Sequence, residues 1–170
     1  MFSVRLVHRR SAAAIIGAAL LGSIAVPAQA QFQNEIVHNP APCRAGRGPA
    51  VSVTLTGIKP GGGTMRVQLY RGIKADWLES GRWVNRIELP ARGGTMQVCM
   101  PVPVPGTYAI AVRHDLNNNG HTDLRTDGGG MSNNPSINIF NLGRPSYTRT
   151  AFPVAAGEVK AMTIQMKYMS

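Results

Sequence analysis
Acidic side chains are scarce in this chain: 8 Asp and Glu stand against 18 Lys and Arg. Glu79, Glu88 and Glu158 are the only glutamates after Glu35, and none forms the carboxylate pair that glycoside hydrolysis needs. Cysteine is nearly missing, with Cys43 and Cys99 alone, so no Cys-x-x-Cys redox motif exists. Aromatic residues make up 6% of the chain. Trp77 and Trp83 read as core or rim residues, with a carbohydrate-stacking platform as the alternative. Neither glycine run, Gly61 to Gly63 or Gly128 to Gly130, is followed by the Lys-Ser/Thr of a phosphate loop, so both read as turns. Helical periodicity is confined to Ile73–Ser80, which leaves no crossover helices for a βαβ fold. No internal repeat is present.

Basic residues are plentiful but dispersed. Arg44, Arg47, Arg66, Arg71, Lys74, Arg82, Arg86 and Arg92 stand apart, and no two Lys or Arg are adjacent after Arg10. A nucleic-acid binder gathers such charge into a stripe, so nucleic acid is excluded as a partner. What remains is a solvated basic surface, or loose attraction to an anionic envelope polymer or lipid surface.

The first thirty residues read as a secretory signal peptide. Arg5, Arg9 and Arg10 precede an apolar run from Ala12 to Val26, and Ala28-Gln29-Ala30 offers the small residues of a cleavage site. The run is shorter than the ~20 residues that span a bilayer. Ser11-Ala12-Ala13 lacks the Phe-Leu pattern of twin-arginine export, so a Sec-type signal cleaved after Ala30 is expected. The expected location is the periplasm or the medium, with no membrane span after signal removal. Of the 18 basic residues three lie in this leader, leaving 15 against 8 acids and a mature charge of +7.

Residues 31–49, rich in Pro, Gly, Asn and Ala, read as an irregular lead-in tethered by Cys43. Two thiols in an oxidising compartment pair, so a Cys43–Cys99 disulfide is expected. On the chain-entropy argument it stabilises by ~4 kcal/mol. Cys99 alternates out of phase with Met96, Val98 and Met100, which places its side chain on the other face of the strand.

Residues 50–170 read as one β-sandwich domain. Period-two alternation predicts strands over Val51–Leu55, Met65–Leu69, Arg82–Leu89, Thr95–Met100, Tyr108–Val112, Ser146–Val154 and Met162–Tyr168. Seven such strands predict an all-β fold, an antiparallel seven-stranded sandwich with one short helix. Trp77 and Leu78 on that helix are expected to cover an open end of the core. The connection from Asp115 to Pro145 is long for a compact domain, and such connections are often functional.

That connection begins with an oxygen-rich loop. Asp115, Asn117, Asn119 and Asp123 occupy the first, third, fifth and ninth positions, with Gly120 sixth and the carbonyl of His121 seventh. This is the front part of a calcium-binding loop. The twelfth position is Thr126 rather than Glu, so a bidentate carboxylate would come from elsewhere, for instance Asp127. Two formal charges in nine positions predict weak affinity, a Kd of ~10⁻⁴–10⁻³ M. The competing reading is a polar turn whose side chains satisfy their own backbone. Zinc on His114 and His121 is a weaker third reading.

The order Gly-x-x-Arg-Val-x-Leu-Tyr (Gly63 to Tyr70), Pro-Gly-Thr-Tyr-Ala (Pro105 to Ala109), His-Asp-x-Asn-x-Asn-Gly (His114 to Gly120) and Ser-Asn-Asn (Ser132 to Asn134), then a closing strand, resembles an uncharacterised family of exported bacterial proteins, domain of unknown function 2141. The resemblance spans roughly residues 50 to 168. It implies a transthyretin- or immunoglobulin-like sandwich with no established enzymatic activity. His114, Asp115, Asn117, Asn119, Gly120, Ser132, Asn133 and Asn134 are its matched positions. The chain departs at His121-Thr122, where members often have Lys-Leu, and at Met131, where an aromatic is usual.

The sequence therefore predicts a non-enzymatic binding or structural module of the envelope, with calcium as the one candidate cofactor. His114, Ser132, Asn133 and Asn134 are expected to order the long connection. A hydrolase built on His114, Asp115 and Ser132 is the alternative. It is disfavoured because Gly130-Met131-Ser132-Asn133-Asn134 lacks the last Gly of Gly-x-Ser-x-Gly.

Overall fold
The computed structural model describes residues 32–137 and 143–169. The leader expected over residues 1–30 lies outside them. Two sheets stack face to face. The larger has the order β1 (Asn34–Glu35), β4 (Trp83–Pro90), β3 (Thr64–Arg71), β6 (Gly106–Asp115), β7 (Gly128–Met131) and β10 (Lys167–Tyr168), with β8 (Phe152–Val154) also on β6. The smaller has the order β5 (Gly94–Pro101), β2 (Ala50–Ile58) and β9 (Val159–Gln165). The core fills the space between: Val51, Val53 and Leu55 of β2 share one cluster with Val67 and Leu69 of β3 and Ile110 of β6. The alternation in the sequence built both layers, as expected of an all-β sandwich.

Two pairings are parallel rather than antiparallel. β2 runs alongside β9 from Ala50↔Val159 to Thr56↔Gln165, and the two-residue β1 runs alongside β4. A parallel neighbour needs a long crossover; for β2 and β9 that crossover is most of the domain.

Both sides of the sandwich are closed. On one side β9 leaves the smaller sheet and the chain enters the larger as β10 one residue later. On the other side the lead-in spans the gap. β1 pairs with β4, and Cys43 is disulfide-bonded to Cys99 of β5. The His38 ring nitrogen Nε2 accepts from the Cys99 N–H at 3.1 Å, covering that edge. Val98 and Met100 belong to the core cluster and Cys99 does not, in line with its expected phase.

Three local expectations change. Ile73–Ser80 is a run of turns, not a helix. Leu78 has a positive φ of 58°, and the Asp76 carboxylate is held by Arg71 and Arg82 on either side. Trp77 covers the outer face of the larger sheet, not an end of the core: it clusters with Tyr70, Ala109, Ala111 and Met131. The helix, α1, is Tyr147–Thr150, inside the stretch expected to be strand, and only Phe152–Val154 of that stretch pairs. Ser146 caps α1, its hydroxyl accepting from the Thr148 N–H at 3.4 Å.

The long connection is not all loop either, since Gly128–Met131 is strand β7. Its glycines allow close approach. A Cβ at Gly130 would stand 2.7 Å from Ile164 Cγ2, and one at Gly128 would collide with the Tyr168 ring.

Candidate functional site
β6 carries alternate residues to opposite faces, so His114 and Asp115 part company at its end. Asp115 is buried, and its two carboxylate oxygens accept from Asn119 N–H (3.2 Å) and Gly120 N–H (2.9 Å), with Arg113 Nη2 at 3.3 Å. Asn117 Oδ1 accepts from Asn119 N–H at 3.1 Å, and Asn119 Oδ1 from His121 N–H at 2.8 Å. The amide groups of Asn117 and Asn119 both donate to Asp123 Oδ2, at 3.2 and 2.6 Å. Those amide hydrogens hold the Asp123 carboxyl below the usual carboxylate range. Asp127 closes the knot, accepting from the N–H groups of Leu116 (3.3 Å) and Asp123 (3.0 Å). Asn118 and Gly120 take the left-handed backbone that the turn requires, at φ 56° and 79°. The side-chain oxygens of Asp115, Asn117 and Asn119 are thus turned to backbone amides, which is the geometry of a self-satisfied polar turn. Among the described residues no group of three or more His, Cys, Asp or Glu is placed to hold a metal ion.

His114 is fully buried. Its Nε2 donates to the Gly62 carbonyl at 2.7 Å, since a carbonyl can only accept. Its Nδ1 lies 2.7 Å from the Tyr168 hydroxyl, which itself accepts from Lys59 N–H at 3.0 Å. The His114 ring thus meets the Gly62 carbonyl through one nitrogen and the Tyr168 hydroxyl through the other. It ties the end of β6 to the β2–β3 turn and to β10. With both ring nitrogens engaged, His114 does not join His121 in a zinc pair.

Ser132, Asn133 and Asn134 act as stitches. Ser132 Oγ accepts from Ile110 N–H (3.0 Å) and donates to Thr150 O (2.6 Å). Asn133 Nδ2 donates to Ala151 O (3.0 Å). Asn134 donates to Thr163 O (2.9 Å) and accepts from Gln165 N–H (2.8 Å), filling the edge of β9 as another strand would. All three bond to backbone outside the connection, on β6, on α1 and its C-cap Ala151, and on β9. Asn133 and Asn134 both have positive φ, 62° and 47°, which Asn tolerates well. His114, Asp115 and Ser132 hydrogen-bond to different partners and not to one another, so the alternative triad is not assembled.

A feature absent from the sequence reading is a cleft of ≈ 370 Å³ on the outer face of the larger sheet. Its walls come from β3, β6, β7 and β10, from the turn at Leu78, and from the connection at Asp123, Leu124 and Arg144. The connection is pinned to the turn there: Trp77 Nε1 donates to Pro145 O at 2.8 Å, and Arg144 to Leu78 O at 3.1 Å. No sequence motif marks this cleft, because its residues come from strands far apart in the chain. The only signal was an outward parity shared by Arg66, Gln68 and Arg113.

The family described as "Uncharacterized protein conserved in bacteria (DUF2141)" matches residues 53–162. The chain belongs to this family. The DUF2141 span holds the polar knot and the three stitches, and leaves out Cys43, Lys167 and Tyr168. Both the disulfide and the His114–Tyr168 bond therefore tie the matched span to chain beyond it. No curated protein and no solved structure matches the chain.

Proposed function
We propose that this protein is an exported, non-catalytic binding module. In this reading the connection between Asp115 and Pro145 roofs a ligand cleft on a rigid sheet. The observation that carries it is the ≈ 370 Å³ cleft itself, at the lower end of the size of small-molecule sites. The roof is anchored by Ser132, Asn133, Asn134 and the Trp77–Pro145 bond. Export is supported by the leader pattern and by a disulfide, which persists in oxidising compartments. A non-catalytic role is supported by His114 and Ser132, whose polar atoms are engaged in structural bonds.

Native mass spectrometry of the full-length gene product, recovered from the periplasm or medium and incubated with envelope extract, tests both parts. The expected result is a covalent mass that begins at Gln31 and a bound small molecule that the Gly129→Phe variant lacks. A Cβ at Gly129 meets open space, so a side chain there projects over the cleft floor. Protein that keeps its leader, or an adduct retained by the variant, contradicts the reading.

The weaker alternative is a calcium site in the knot, for which the Asn117 and Asn119 amides, which donate to Asp123, would have to turn their oxygens inward. Calcium at ten- to a hundredfold over Kd would stabilise the fold by about 1.4–2.7 kcal/mol. An unchanged melting temperature at 10 mM calcium, about ten- to a hundredfold over the weak Kd expected, removes the ion.

A further inference from the structure
The cleft floor can be laid out from strand register. Glu88 faces Arg66, Arg66 faces Arg113, Arg113 faces Gly129, and Gly129 faces Lys167. Directly paired residues share a face, so three cations stand in one transverse row with a side-chain gap at Gly129. The next row on the same face is Gln68, Ala111 and Met131, about 7 Å along the strands. Tyr70 and Leu78 lie beyond it in the apolar cluster. The cleft has three cations at one end; at the other Tyr70 and Leu78 stand beside Arg144, whose charge is paired with Glu79.

Like charges directly opposite one another destabilise a sheet. Arg66 and Arg113 are such a pair, and burial together with Arg66 pulls the Arg113 pKa down. The carboxylates nearby answer this only in part. Glu88 holds Arg66 at 2.6 Å, and Asp115 touches Arg113 at 3.3 Å. Asp123 and Asp127, on the cleft wall, are turned to the amides of the knot rather than bonded to Arg113, on which Asp127 acts only through space. Lys167 is exposed and has no ion-pair partner among the described residues. Among the described residues three buried side-chain nitrogens lack a hydrogen-bond partner, and one of them, Arg113 Nε, belongs to a cleft residue.

We infer that the cleft takes a single-chain anionic amphiphile, its anionic group over Gly129 between Arg66, Arg113 and Lys167 and its apolar chain along Ala111, Met131 and Tyr70. This rests on the binding reading above and names its ligand class. The occupant is a free molecule rather than a lipid in a bilayer, because the cleft is a concavity walled by Asp123, Leu124 and Arg144 of the connection and not a flat face.

Isothermal titration calorimetry of the mature, oxidised protein with decanoate below its critical micelle concentration tests the inference. Saturable one-to-one binding is expected, weakened about tenfold by Lys167→Glu and abolished by Gly129→Phe. Neutral monodecanoin and decyltrimethylammonium should bind at least tenfold more weakly than decanoate. Equal binding of the three overturns the anion preference yet leaves a binding cleft in place. Decanoate binding untouched by Gly129→Phe overturns the location. Flotation with phosphatidylglycerol vesicles, without decanoate binding in solution, overturns the free amphiphile in favour of a membrane surface.

Discussion
Asp76 shows how much one carboxylate carries in a chain poor in them. Its side chain is fully buried, and it bonds Arg71 Nε and, at 2.7 Å, Arg82 Nη2. The Phe32 ring stacks against both guanidinium groups, 4.8 and 4.2 Å from its centre. Burial acts to raise the Asp76 pKa, but the two arginines outweigh it and hold it below the ordinary value. A carboxyl with a depressed folded pKa stabilises the fold above its unfolded pKa of ~3.9, and that contribution is lost as pH falls through the folded value. Asp76→Asn is therefore expected to cost about 2–3 kcal/mol near neutral pH. The gap from wild type should narrow below about pH 4, read by urea melts at several pH values. An equal deficit at pH 7 and pH 2 would show that the charge is not what holds the turn. At this scale the sequence was partly legible. Period-two phase alone placed Cys99 off the core. Asp76 gave no signal, because its partners lie five and six residues away, at no spacing that a strand or helix brings together.

Alternation made the long elements readable and failed wherever it was short or missing. β2, β3, β4, β5 and β6 each begin or end within a few residues of expectation. β7 was invisible because Gly-Gly-Gly-Met offers no alternating side chains, and pairing with β6 and β10 supplies its strand character instead. α1 was read as strand because Tyr147, Thr148 and Thr150 favour β structure. The Ser146 cap was the countersignal. The same physics gives a matched pair of variants. Gly130→Val drives a side chain into Ile164, Gln165 O and Met166, and overpacking of this kind costs about 1–3 kcal/mol. Gly129→Val points into open space and should change stability by about 0.5 kcal/mol or less. Chemical denaturation of the two side by side checks this. Equal costs would mean that β7 does not sit against the β9–β10 segment.

The whole molecule is a sandwich closed on both sides, by the disulfide-linked lead-in on one and by the β9–β10 crossing on the other. That closure leaves the outer face of the larger sheet as the surface on which the long connection rests. The polar knot, legible in the sequence as an ion loop, forms one end of the roof. The cleft beneath it was not legible, since it exists only once β3, β6, β7 and β10 lie side by side. The stitches Ser132, Asn133 and Asn134 hold that roof to both sheets, so an empty and a filled cleft should share one fold. Amide NMR spectra of the mature protein during a decanoate titration test the central claim most directly. The account predicts shifts gathered at Arg66, Arg113, Gly129, Met131 and Lys167, with β2 and β5 unmoved. Shifts centred on β2 and β5, or none at Gly129, would contradict it.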